Sequence, residues 1–144
     1  MFAISHGEED TKKIAEEIAK GIKSGDVLAL YGDLGSGKTT FTKFLAEQLG
    51  VKENVTSPTF VIEKRYKVKK QKTNNKLQIA KLIHIDCYRM DEKNVDKYYL
   101  GEIFKSEDAV IVLEWPEKIE KYLPKNAKMI KFEYIGENER KIEY

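Results

Sequence analysis

Apolar positions along this chain alternate between two kinds of run. Ile14, Ala15, Ile18, Ala19 and Ile22 recur at spacings of three and four, the stripe of an amphipathic helix. Ser5-x-x-Glu8 reads as a capping box at its start. Asp26-Val27-Leu28-Ala29-Leu30-Tyr31 follows, a short apolar run of strand length. From Thr40 to Leu49 the helical spacing returns, with Phe41, Phe44, Leu45 and Leu49 on one side and Gly50 placed as a C-terminal cap. Two strand-like stretches, Phe60–Tyr66 and Leu77–Tyr88, are joined through lysine-rich residues and a turn near Asn74-Asn75. Asp91–Phe104 is polar and irregularly helical, and Ala109–Leu113 is an entirely apolar strand. Pro116–Tyr122 opens on proline and suits a short helix, while Met129–Ile135 and Arg140–Tyr144 form a closing hairpin. Strands interleaved with helices predict an α/β fold with a mainly parallel central sheet, helices flanking it and an antiparallel hairpin.

Gly32-Asp33-Leu34-Gly35-Ser36-Gly37-Lys38-Thr39 satisfies the pattern G-x-x-x-x-G-K-[ST] at every fixed position, between a strand and a helix. That setting makes it a P-loop. Its glycines let the backbone curl so that successive N–H groups point at phosphate oxygens, where side chains would collide. The following helix adds the positive end of its dipole. Asp33, Leu34, Gly35, Ser36, Gly37, Lys38, Thr39 and Thr40 are therefore the expected nucleotide-binding residues. Lys38 suits the β- and γ-phosphates, and the Thr39 hydroxyl suits Mg²⁺. A glycine-rich turn that binds nothing would have no reason to end in Lys-Thr.

Composition narrows the setting. At 144 residues with 41% hydrophobic positions, the chain predicts one domain spanning 1–144, with little length for lids or acceptor-binding insertions. A net charge of +2, from charged residues of mixed sign, does not announce a nucleic-acid binder. No N-terminal basic segment runs into an apolar one and no stretch approaches a membrane span, so a cytoplasmic protein is expected. Cys87 is the only cysteine, which excludes an internal disulfide, and it reads as a small hydrophobe on a strand.

Two strands end in acids. Ala109-Val110-Ile111-Val112-Leu113 carries Glu114, and Leu82-Ile83-His84-Ile85 carries Asp86. A buried strand that delivers a carboxylate to the sheet's C-terminal edge places it where the metal of a bound nucleotide sits. Either acid could hold Mg²⁺ while the other positions water. His84, Asp86 and Tyr88 alternate and so share one face, with Ile83, Ile85 and Cys87 turned to the core and Arg89 directly after. A histidine, an acid, a tyrosine and an arginine at one strand end suggest a site, although His84 taken alone reads as a satisfied structural histidine.

Four ordered motifs carry a resemblance: Gly32 to Thr40, Ser57-Pro58-Thr59-Phe60, His84-Ile85-Asp86-Cys87-Tyr88-Arg89 and Glu114-Trp115-Pro116-Glu117. In order and rough spacing the chain resembles the TsaE family, the bacterial ATPase of tRNA threonylcarbamoyladenosine biosynthesis, from its first helix to about Tyr122. The resemblance implies a P-loop NTPase fold and ATP hydrolysis that supports the TsaB–TsaD pair, in which TsaD transfers the threonylcarbamoyl group to an adenosine beside the anticodon. It implies that Lys38 holds phosphates, that Thr39 and Glu114 ligate Mg²⁺, and that Asp86 is the acid near the attacking water. Preferring Glu114 to Asp86 as the metal ligand rests on this resemblance. Ser57 to Phe60 resembles the family's switch-like loop, and Thr40 and Trp115 sit within its motifs.

One segment departs from the family. Lys64 to Lys81, with Arg65, Lys67, Lys69, Lys70, Lys72 and Lys76 between, is longer and more basic than the usual connection. A solvated lysine-rich hairpin is the favoured reading, and contact with tRNA phosphates is the alternative. Three functions compete: an ATPase serving a tRNA-modifying complex, a small-molecule kinase, and a nucleotide-dependent binding switch with negligible turnover. With Arg65, Arg89 and Arg140 as the only arginines, a kinase's cationic lid is hard to assemble, and Arg89 is the expected internal cation.

Overall fold

The computed structural model describes residues 1–58, 62–69 and 78–144. In chain order the elements are β1 (Phe2–Ser5), α1 (Glu8–Lys20), β2 (Val27–Tyr31), α2 (Lys38–Leu49), β3 (Glu63–Lys67) and β4 (Lys81–Asp86). They continue with α3 (Lys97–Phe104), β5 (Ala109–Glu114), a 3-10 helix (Pro116–Tyr122), β6 (Lys128–Gly136) and β7 (Glu139–Glu143). β2, β4 and β5 are nearly continuous apolar runs because both of their faces are covered. Leu28, Leu30, Leu82, Val110 and Val112 pack with Ile14 and Ala15 of α1 and Phe41, Leu45 and Leu49 of α2. The alternate residues, Val27, Ile83, Ile85, Ile111 and Leu113, pack on the other side with Leu100 and Ile103 of α3 and Ile119 of the 3-10 helix.

The seven strands form one sheet in the order β1-β7-β6-β2-β5-β4-β3. Pairing is parallel from β6 through β2 and β5 to β4 and antiparallel at both edges. The expected α/β fold with a parallel centre is present. The closing hairpin is more than an appendage, since β6 joins the parallel core through Leu30↔Ile130 and its neighbours. Register decides where function can sit. Leu30 pairs with Glu114 and Asp86 pairs with Glu114, so the C-terminal ends of three central strands are level beside the P-loop. No helix among the described residues is long and apolar enough to cross a membrane.

Several local expectations shift. Ser5 is the last residue of β1, not a helix cap. Its hydroxyl bonds the Gly7 carbonyl (2.8 Å) and Thr11 Oγ1 (2.7 Å), and Gly7 is the residue before α1. The four-residue β1 escaped the sequence pattern because it is a short edge strand with Phe2 and Ile4 exposed. β4 stops at Asp86, whose Oδ1 accepts the Tyr88 N–H at 2.8 Å and turns the chain. Tyr88 is consequently exposed and off the strand, while Cys87 stays fully buried beyond the strand's end. The irregular stretch from Asp91 becomes helical only at Lys97. Asp91 Oδ1 takes the N–H groups of Lys93 (2.7 Å) and Asn94 (2.9 Å), a local alternative to helix, and Asp96 then caps α3 by accepting from Tyr99 N. Thr59 and Phe60, at the start of the expected Phe60–Tyr66 strand, lie outside the described residues, as do Lys70, Lys72, Lys76, Leu77 and the Asn74-Asn75 turn.

Candidate nucleotide-binding site

β2 ends at Tyr31, and the loop that follows has a backbone only glycine permits at its first position. Gly32 takes φ 151°, and a Cβ there would lie 2.6 Å from Ser36 Oγ and 2.8 Å from the Phe132 carbonyl oxygen. Gly37, at φ 100°, precedes α2 and accepts the first helical bond from Phe41 N at 2.9 Å. The loop thus delivers the positive end of α2 to the sheet's C-terminal edge.

Lys38 opens α2 and is only 5% exposed. Its Nζ donates to the carbonyls of Gly32 and Asp33 and lies 4.1 Å from the centre of the Trp115 ring. Burial lowers its pKa from the ordinary 10.5, and the carboxylates of Glu114, Glu117, Asp33 and Asp86 offset part of that. Trp115 reaches this position through a left-handed backbone (φ 57°), uncommon for a bulky residue, which turns the chain from β5 into the 3-10 helix. Tyr88 meets the same indole edge-on, with ring centres 5.1 Å apart.

The two acids sit side by side on adjacent strands, both buried. Glu114 Oε1 accepts from Thr39 Oγ1 at 2.9 Å and is 3.1 Å from His84 Nε2. Burial alone would push the Glu114 carboxyl up. The bonds from His84 and Thr39 and the nearby Lys38 charge outweigh it and hold the group below the usual carboxylate range.

These groups surround a cavity of about 420 Å³, lined by residues 33–40 of the loop with Ser57, Asp86, Tyr88, Glu114, Trp115 and Arg140. All eight expected nucleotide-binding residues, Asp33 to Thr40, border it, as do Asp86 and Glu114. Two buried polar atoms on its walls, Ser36 Oγ and Arg140 Nε, have no hydrogen-bond partner among the described residues. Unpaired buried polar atoms are uncommon in folded proteins, and two of them in residues that line one cavity mark it as a candidate site. A hydroxyl and a carboxylate 2.9 Å apart supply the hard oxygen donors that Mg²⁺ prefers.

Arg140 is the residue that reading the sequence missed. Pairing with Tyr134 and Ser5 carries it from β7 to the P-loop, where a Cβ on Gly37 would lie 3.1 Å from its Nε. No motif surrounds it, and only the hairpin's place beside β2 brings it there. Arg89, the cation expected at the site, is exposed and is not among the described residues lining the cavity. Of the switch-like loop, Ser57 borders the cavity and Pro58 is buried. In the basic segment, Lys64 bonds Thr56, Arg65 pairs with Glu63 and Lys81 with Asp108 (3.4 Å), whereas Lys67 and Lys69 are exposed.

A sheet with a parallel centre, whose second strand feeds a glycine loop and helix beside two strand-end acids, defines a P-loop-type α/β protein. The chain belongs to the TsaE family. The family model described as "Threonylcarbamoyl adenosine biosynthesis protein TsaE" matches residues 5–142. The tRNA threonylcarbamoyladenosine biosynthesis protein TsaE of Bacillus subtilis (strain 168) is 41% identical over 140 residues, covering 94% of this chain and 79% of that protein. Its counterpart of the same name in Aquifex aeolicus (strain VF5) is 38% identical over 141 residues, covering 96% and 91%. The crystal structure of Bacillus subtilis YdiB aligns with a TM-score of 0.72 at 37% identity, covering 99% of this chain and 82% of that one. The family named by the motif resemblance is the family found, and with it a place in tRNA threonylcarbamoyladenosine biosynthesis.

Proposed function

We propose that this chain is a Mg²⁺-dependent ATPase, a single cytoplasmic domain that serves the TsaB–TsaD pair in making threonylcarbamoyladenosine in tRNA. The supporting observation is the convergence on one cavity of the P-loop, the Thr39–Glu114 hydrogen bond, Asp86 and two unpaired buried polar atoms. In this reading, loop N–H groups and the α2 N-terminus bind the phosphates, and Lys38 adds a cation beside them. Thr39 and Glu114 would hold Mg²⁺, which would supply charge neutralisation at the nucleotide's phosphates. With two protein oxygen donors, Mg²⁺ would rely on further oxygen ligands from the nucleotide and water, as is usual for this ion. Asp86 accepts a hydrogen bond from the water that attacks the γ-phosphate. Its backbone bond to Tyr88 N (2.8 Å) steadies the carboxylate for that task. Arg140 adds positive charge beside Gly37 of the P-loop.

Phosphate release from ATP, measured with and without TsaB and TsaD, tests the reading. Slow Mg²⁺-dependent release that the pair alters is expected. Absence of release under every condition would leave a binding switch, and transfer to a small acceptor in place of water would make the chain a kinase. Contact of the Lys64–Lys81 segment with tRNA phosphates is a subsidiary proposal. It requires tRNA binding that weakens steeply with salt and with charge removal at Lys67 and Lys69.

A further inference from the structure

His84 pairs with Val112 and alternates with Leu82 along β4, which puts it on the face of the sheet that α2 covers, and its side chain is fully buried. A leucine there would avoid the cost of burying an imidazole, so the ring needs a reason. Its Nε2 lies 3.1 Å from Glu114 Oε1, and its Nδ1 is buried with no partner among the described residues. Of the two neutral tautomers these contacts favour the one with its proton on Nε2, and a doubly protonated ring would donate from Nε2 as well. A proton on Nδ1 would orphan a buried donor and aim the Nε2 lone pair at a carboxylate oxygen. A proton on Nε2 makes a donor bond to Glu114 and leaves only an acceptor unmet.

Both hydrogen bonds to Glu114 end on the same oxygen, Oε1. Thr39 is also the hydroxyl expected to offer a lone pair to Mg²⁺, so its bond to Glu114 is shared with another task. His84 has no second task. We infer that His84 is a positioning residue, fixing the Glu114 carboxylate by one oxygen so that Oε2 is left for the cation. The inference rests on Glu114 as a metal ligand and assigns His84 a role in metal affinity rather than in core packing.

The test is Mg²⁺ dependence of binding, read with a fluorescent non-hydrolysable ATP analogue in the intact chain. His84→Leu and His84→Asn remove a donor that reaches Glu114; His84→Gln keeps one. The first two should raise the Mg²⁺ concentration needed for half-maximal binding by about tenfold to a hundredfold, the range for lost support of a metal ligand. Binding in EDTA should stay at the wild-type level, and His84→Gln should restore most of the Mg²⁺ dependence. Wild-type Mg²⁺ dependence in the Leu and Asn variants would overturn the proposal. Equal impairment of the Gln variant would overturn it too, as would a matching loss of binding in EDTA. If His84→Leu unfolds, the Asn and Gln comparison decides, and unfolding of all three would make the residue structural and defeat the inference. Glu114→Ala separates the two readings. If it too leaves the Mg²⁺ requirement unchanged, Glu114 is not the ligand and His84 falls with it. If it alone shifts that requirement, only the His84 role is lost.

Discussion

Lys38 shows how a single buried charge sets a working range. Burial brings its pKa below 10.5, so its ammonium is lost earlier on the way up the pH scale than an exposed lysine's would be. Because the charged form is the one that serves the phosphates, kcat/KM for ATP should fall in an alkaline limb centred below 10.5. A profile flat through that pH, with the fold intact by circular dichroism, would contradict the assignment. Lys38→Ala and Thr39→Ala should each abolish productive Mg-ATP use, one by removing a phosphate cation and the other a metal ligand. The acids should separate by what they need. Glu114→Ala should demand much more magnesium for any residual hydrolysis. Asp86→Asn should bind nucleotide nearly normally and hydrolyse it poorly, since orienting water matters in the transition state. Steady-state kinetics across a magnesium series checks both, and a reversed pattern would exchange their roles.

Two glycines, one closing α2 and one opening the loop that leads into it, do different work. Gly50 closes the helix at φ 97°, with its N–H on the Glu47 carbonyl (3.2 Å) and Val51 N on Ala46 O (2.9 Å). Gly50→Ala should cost about 1 kcal/mol in denaturant unfolding, the order of forcing a side chain into the left-handed region, and leave ATP affinity unchanged. Gly32→Ala meets backbone and Ser36 at once, so the loop itself must move. Nucleotide affinity should fall with that change even where the melting temperature holds. A Gly32→Ala variant with wild-type affinity would show that the loop's curl is not what binds phosphate. The β6–β7 hairpin also serves the site, because its register on β2 is what carries Arg140 to the P-loop.

At the scale of the whole molecule, the described cavity has walls from the P-loop, two strand ends, the turn after β4 and a hairpin, with Arg140 its one arginine among the described residues. Cationic stabilisation supplied in trans can change phosphoryl transfer by about three to five orders of magnitude. The TsaB–TsaD pair should therefore bind near the nucleotide mouth and change the ATPase rate, and repeated rounds of adenosine modification should require both this chain and ATP. Modification assays with each component omitted measure this. Sustained modification without the chain, at a rate its addition does not alter, would remove the proposed role while leaving an ATPase in place.

Local chemistry is what the sequence alone determined. The P-loop was legible because phosphate binding constrains contiguous residues: glycines for φ, then Lys38 and Thr39 at the helix start. The parallel centre was legible because burial on both faces makes β2 and β5 almost purely apolar. Glu114 and Asp86 stood out as strand-end acids, and the closing hairpin was expected at Met129–Ile135 and Arg140–Tyr144. Tertiary structure decided everything that depends on neighbours distant in the chain. Strand register placed Asp86 beside Glu114, and His84 found its partner 30 residues away. The hairpin's docking on β2 put Arg140 at the site in place of Arg89. The turn that follows β4 at Asp86 is held by a carboxylate–amide bond and a backbone bond from Met90 N to Cys87 O, which no periodicity could announce. Spacing along a chain encodes what a residue's own element needs, whereas pairing across a sheet depends on the alignment of whole strands.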